Sequence, residues 1–107
     1  MGFWENDVDY IISKLSLTKA LKVKSIFSHL AASEDLNEKE FTLNQIESFK
    51  KTSKSMIDAL DYIPMLHICN TSGVINYPEA HFDMVRSGIG LYGFGNSEIE
   101  NKNLRPI

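Results

Sequence analysis

Apolar residues recur along this chain with two periods, and the switches between them mark its elements. Val8, Ile11, Ile12 and Leu15 stand at i, i+3, i+4 and i+7, one stripe on a helix. Asn6 is placed to cap that helix, and Asp7 and Asp9 fall in its first turn, where the helix dipole favours negative charge. The apolar opening Met1-Gly2-Phe3-Trp4 reads as the middle of something rather than a solvated terminus. From Val23 to His29 the period drops to two, which puts Val23, Ser25, Phe27 and His29 on one face of a strand. Leu30 to Lys39 is a polar, acidic connector. Thr42-Leu43-Asn44-Gln45 then has the form of a capping box, with Phe41 and Ile46 at the two positions of a hydrophobic staple. The stripe continues through Phe49, Met56, Ile57 and Leu60, predicting a helix from about Leu43 to Asp61 that Pro64 stops.

Met65 to Cys69 predicts a second strand and Asn70 to Gly73 a turn. Thr71 to Asn76 predicts a short helix ended by Pro78, and Phe82 to Arg86 a third strand. From Asn96 onward the chain is polar and aperiodic, and little order is expected. Strands alternating with helices imply an α/β fold with parallel pairing and right-handed crossovers. Three parallel strands do not close a sheet whose two faces both need cover, so the chain reads as part of a larger α/β fold. Its open edges predict self-association.

At 107 residues the chain is long enough for one small domain. A formal net charge of −3 gives no bulk attraction to nucleic acid or to an anionic membrane. Lys50, Lys51 and Lys54 read as the solvated face of a helix. No apolar run approaches the roughly 18 residues of a membrane span, and the acidic start does not read as a signal peptide, which points to the cytoplasm. The single cysteine, Cys69, excludes an internal disulfide and reads as a small core residue. His29, His67 and His81 have no metal-ligand spacing, and His81, beside Glu79, reads as a solvated loop residue.

Parallel α/β folds bind ligands at the carboxyl ends of their strands. The candidate chemistry falls there: His29 after the first strand, Asn70 and Thr71 after the second, Arg86 with Gly88 and Ile89 after the third. Four of the six glycines lie between Gly88 and Gly95, a loop that lets backbone N–H groups approach an anion. Arg86 beside it offers a rigid fork of donors, so the pair suits a cofactor with a ring and a phosphate. Gly88-Ile89-Gly90-Leu91-Tyr92-Gly93 also satisfies the dinucleotide fingerprint, but the helix and acidic residue which that reading needs have no room before Ile107. Asn70-Thr71 could equally cap the short helix, and a lone His at a strand end is commonly structural.

Phe27 to Ser33, His67 to Ser72 and Met84 to Gly93 resemble, in order and spacing, three successive blocks of bacterial alanine racemase. Gln45 and Phe49 match between the first two. The resemblance implies the last three strands of an eight-stranded TIM-type (β/α)8 barrel holding pyridoxal 5′-phosphate (PLP), with residues 1–95 a partial barrel domain and 96–107 a connector toward a C-terminal β domain. It implies a homodimeric enzyme that interconverts L- and D-alanine for peptidoglycan, through removal and return of the α-proton. Phosphate would be held by the Thr71 hydroxyl, where the family has serine, and by the N–H groups of Gly88 and Ile89, with Asn70 adjoining. Arg86 would face the pyridine nitrogen, and His29 and His67 would orient Arg86, His29 foremost. Always charged and donor-only, an arginine there leaves the nitrogen unprotonated and limits how far negative charge spreads into the ring. The family's cofactor lysine, its second base (a tyrosine acting across the dimer) and a further arginine match no residue here, and Tyr92 matches a non-catalytic tyrosine. On this reading the chain is an inactive fragment of a racemase. A PLP-carrier barrel without racemase activity is the alternative.

Overall fold

The computed structural model describes residues 2–107. Its main elements are α1 (Val8–Ser16), β1 (Ser25–Phe27), α2 (Lys39–Ala59), β2 (Met65–His67), α3 (Thr71–Asn76) and α4 (Glu98–Asn101), with short 3-10 turns between them. The strands pair in parallel, Ser25 opposite Met65, Ile26 opposite Leu66 and Phe27 opposite His67. The α/β alternation is as the periodicity implies, but the strands are three residues long, shorter than the apolar runs that predict them.

The third predicted strand does not form. The ladder leaves Leu66 facing away from β1, where a third strand would pair with it. Leu66 N–H donates instead to the Asp83 carboxylate (2.8 Å), and Asp83 N–H donates to Leu66 O (3.1 Å). A side chain thus occupies the place of a main-chain carbonyl. Phe82, at φ 48°, turns the backbone out of the extended region at the point where the strand would begin. Residues 82–86 still run beside β2, tied again by Arg86 N–H to Cys69 O (3.0 Å). Asp83→Ala is expected to cost about 1 kcal/mol, the typical worth of such a bond at a partly wet site. Urea unfolding measures it, and an unchanged midpoint would show that water replaces the carboxylate at no cost.

The core lies between α2 and the sheet. Leu30, Ile46, Phe49, Ile68, Cys69, Tyr77 and Ala80 are buried, and Phe82 packs on Phe49 edge to face at 5.3 Å. Cys69 is fully buried, as its apolar setting predicts; burial pushes its thiol up to about 11, and Sγ donates to Ala80 O. The α1 stripe is half-buried against α2. Of the apolar opening, Met1 lies outside the described residues, and Phe3 and Trp4 are exposed.

Three end-of-helix assignments change. Asn6 lies within a 3-10 turn and does not cap α1; Asp7 stands at that position, and its carboxylate accepts from Trp4 N–H. The Thr42–Gln45 box sits inside α2, which begins three residues before Thr42 because a 3-10 turn (Leu36–Glu38), capped by Asp35, feeds straight into it. Thr42 Oγ1 donates instead to Ala32 O, and Gln45 Oε1 accepts from Ala31 N–H, so both residues hold the loop after β1. Phe41 is exposed and forms no staple. Beyond Asn96 the chain is ordered into α4, capped by Ser97, with Glu100 fully buried. The basic patch on α2 is partnered on the surface, Lys50 with Glu47 and Lys54 with Asp58. Among the described residues no helix is long and apolar enough to cross a membrane.

Candidate functional site

A recess of about 390 Å³ opens at the carboxyl ends of the two strands, lined by His29, Asn70, Thr71, Arg86, Ser87, Gly88, Ile89 and Asn96. Its size falls within the usual range of ligand clefts. Every strand-end residue singled out from the sequence lies in this lining, and His67, expected to support Arg86, stands behind it. A larger groove between α1 and the end of α2 lies elsewhere and carries none of them.

Arg86 is the most constrained of the set. One guanidinium nitrogen, Nη2, donates to Ser28 O (2.8 Å) and Ile68 O (3.3 Å), which ties the ends of both strands together. Nη1 is bonded to His67 Nδ1. An arginine has donors only, so His67 must accept through Nδ1 and carry its proton on Nε2. The His67 ring is therefore neutral. Burial first, and then the neighbouring Arg86 charge, hold its pKa below the ordinary histidine value. These bonds use three of the five guanidinium N–H groups, which leaves Nε–H and one Nη1–H for a ligand.

Phe27 adds a third layer. It is the cross-strand partner of His67, and their rings stack with centroids 5.0 Å apart and an interplanar angle of 2°. The Arg86 guanidinium carbon lies 5.5 Å from the centre of the same ring. Period-two counting puts Phe27 and His29 on one face, but gives no sign that Phe27 would stack on the histidine of the next strand. His29 lines the recess, exposed, and makes no hydrogen bond to Arg86. The ring that orients the arginine is that of His67, because β1 ends two residues before His29 while His67 sits inside β2, level with the guanidinium.

Because His67 is held neutral, it adds stability above the ordinary histidine value of about 6.5. That contribution is lost as the pH falls below this value toward the depressed one of the fold. NMR titration of the imidazole is expected to show a pKa below the ordinary histidine value of about 6.5. A value at or above the ordinary one would mean that the Arg86 bond does not persist in solution.

Around the glycine loop the groups divide. Thr71 is buried, and its Oγ1 accepts from Gly90 N–H (3.1 Å), which leaves its own proton to donate. Gly88 N–H is engaged with Arg86 O (3.1 Å), whereas Ile89 N–H has no partner among the described residues. Of the two N–H groups expected to meet an anion, one is open. A Cβ on Gly90 would stand 2.8 Å from Thr71 Cγ2, so a side chain there would push the threonine out of place. Asn70 lines the recess, but its side chain is largely used internally. Its Oδ1 accepts from Ser33 Oγ (2.7 Å) and caps α3 through Gly73 N–H (2.9 Å), and Nδ2 donates to Leu30 O. His81, expected in solvent, is half-buried and bonded to Val74 O. Among the described residues no group of three or more His, Cys, Asp or Glu is placed to hold a metal ion.

Ser87 and Asn96 were not singled out. Ser87 sits between two residues that were, so its position was the available signal. Asn96 had none, since the segment it opens looked unstructured.

Comparison with known proteins gives one consistent picture. The model of the alanine racemase N-terminal domain matches residues 1–95. The alanine racemase of Thermodesulfovibrio yellowstonii is 38% identical over 95 residues, covering 89% of this chain and 24% of its own length. The alanine racemase of Clostridium difficile 630 superposes with a TM-score of 0.85 at 29% identity, over 99% of this chain and 30% of that one. The Bartonella henselae alanine racemase, solved with covalently bound pyridoxal phosphate, superposes with a TM-score of 0.67 at 27% identity, over 87% of this chain and 24% of that one. The chain thus spans about a quarter of the length of the curated relatives it matches.

Proposed function

The chain belongs to the alanine racemase N-terminal domain family, and from that premise we propose that it is the ring- and phosphate-binding part of a PLP-dependent alanine racemase, taken from the later βα units of the barrel. One observation carries this reading. Six residues chosen from three separate stretches of the sequence line a single recess at the ends of the two strands, with a donor-only arginine locked beside the glycine loop. When bound there, PLP supplies the electron sink for reaction at the alanine Cα.

The residues present fit the cofactor. The Thr71 hydroxyl and Ile89 N–H address the phosphate, and the absence of a side chain on Gly90 keeps that cradle open. Arg86 presents its remaining donors to the ring nitrogen. It holds no exchangeable acid at working pH, so it polarises the nitrogen without giving it a proton. Neutral His67, stacked on Phe27, fixes the guanidinium plane. The lining holds neither lysine nor tyrosine, and its one imidazole is that of His29. Binding and orientation are therefore assigned to this chain, and proton abstraction and return to residues outside it. Alanine as substrate, a homodimeric parent, a cytoplasmic site and supply of D-alanine to peptidoglycan belong to the same proposal.

The test is a chimera in which residues 1–95 replace the matched segment of the Thermodesulfovibrio yellowstonii racemase. The chimera is expected to bind PLP and interconvert L- and D-alanine, and this chain alone to show no conversion with added PLP. Conversion by this chain alone would overturn the division of roles. A chimera that binds PLP without racemising alanine would favour the carrier reading, and one that binds none would remove the cofactor assignment.

A further inference from the structure

Residues 96–101 lie beyond the segment that matches the family model, yet Asn96, the first of them, lines the recess. Glu100 is fully buried. Its two carboxylate oxygens each accept from the chain: Oε2 from Asn96 N–H (2.7 Å) and Oε1 from Asn76 Nδ2 (3.1 Å). The Asn96 side chain turns the other way and donates through Nδ2 to Ser72 Oγ (2.9 Å), beside Thr71. Asn76 is tied in turn to Ser33 O (2.9 Å), and Ser33 Oγ to Asn70. One buried carboxylate thus holds an exposed carboxamide at the rim, with bonds running back through Asn76 and Ser33 to one other lining residue, Asn70. A buried carboxylate needs donors to remain in place. Gly95 makes the approach possible, since a Cβ there would run into the Glu100 side chain.

We propose that Asn96 is a further ligand of the phosphate group, and that Glu100 is the positioning residue that holds it there. The inference rests on the cofactor reading above. Of the two amide hydrogens on Asn96 Nδ2, Ser72 takes one and the other is available to a phosphate oxygen. Glu100 acts through Asn96 and touches no ligand. Both Glu100 carboxylate oxygens are taken by N–H donors of this chain.

The experiment titrates this chain with pyridoxal phosphate and with inorganic phosphate, and follows backbone amide exchange by NMR. Asn96→Ala and Glu100→Gln are each expected to weaken both ligands about tenfold, the worth of one bond to a charged group. The double variant is expected to bind no more weakly than Asn96→Ala alone, because Glu100 works only through that residue. The Asn96 amide is expected to exchange faster in Glu100→Gln, while the core amides of Leu30 and Ile68 stay protected. Losses that multiply in the double variant would overturn the positioning role. Thr71→Val weakening both ligands while Asn96→Ala leaves them within twofold would overturn the Asn96 contact and leave the recess intact. No binding by the unaltered chain, or indifference to Thr71→Val as well, would remove the cofactor reading itself, and the inference with it. Where Glu100→Gln fails to fold, Asn96→Ala decides, since that side chain is exposed.

Discussion

Arg86→Ala is expected to weaken pyridoxal phosphate binding by this chain more than tenfold and to move the His67 titration up toward the ordinary histidine value. Both effects follow from one geometry. The guanidinium supplies the only formal positive charge in the recess lining, and it is bonded to His67 Nδ1. Removing it takes away the ring-nitrogen donor and, in the same step, the cation that disfavours protonation of His67. The variant also loses the bonds to Ser28 O and Ile68 O that join the two strand ends. Arg86 is half-buried, so the stability cost is set at about 2 kcal/mol rather than the sum of three charged bonds. Arg86→Lys is expected to restore charge but not affinity, since one ammonium cannot reach two carbonyls, a histidine and a ligand in a fixed plane. Absorbance titration with PLP and NMR titration of the imidazole read the two effects separately. A His67 pKa unmoved by Arg86→Ala would show that burial alone sets it.

How far this could be read from the sequence depended on whether a signal was local. Asn70 capping α3 is local, because an Asn side chain reaches an N–H three residues on with no help from the rest of the fold. The membership of the recess was legible for a similar reason, since the carboxyl ends of parallel strands converge whatever their exact lengths. What failed was decided at a distance. Thr42 and Gln45 have the residue types of a cap, but an upstream turn started the helix early and the loop after β1 claimed both side chains. The apolar run at 82–86 has the residues of a strand, yet one carboxylate, Asp83, took the edge it would have used. His67 rather than His29 meets Arg86 because cross-strand register, which no single segment reveals, puts His67 level with the guanidinium. Glu100 was invisible for the strongest version of this reason. A charged residue in a polar, aperiodic segment reads as solvated, and only its donors on Asn96 and Asn76 make its burial tolerable.

Leu30→Ala is expected to destabilise the chain by about 3 kcal/mol, the middle of the range for a buried leucine. Leu30 is 1% exposed and belongs to the core with Ile46, Phe49 and Ile68. Its Cδ1 stands 3.0 Å from where a Cβ on Gly73 would lie, so the first turn of α3 rests directly on it. Truncation opens a cavity under that turn, and the surrounding backbone cannot collapse into it freely, because Leu30 O accepts from Asn70 Nδ2 while Asn70 Oδ1 holds Gly73 N–H. The loss therefore has two parts: stability of the whole chain, and order of the turn that presents Thr71 to the recess. Urea unfolding reads the first, and exchange of the Gly73 amide, expected to quicken beyond the global change, reads the second. Leu21→Ala, at a side chain 67% exposed, is the matched control and is expected to stay within about 0.5 kcal/mol of the parent. If the two variants shifted the midpoint equally, the packing of Leu30 under α3 would not exist in solution. If only the midpoint moved, with Gly73 exchanging in step with the core, the recess would be carried by the fold as a whole and not by this one contact.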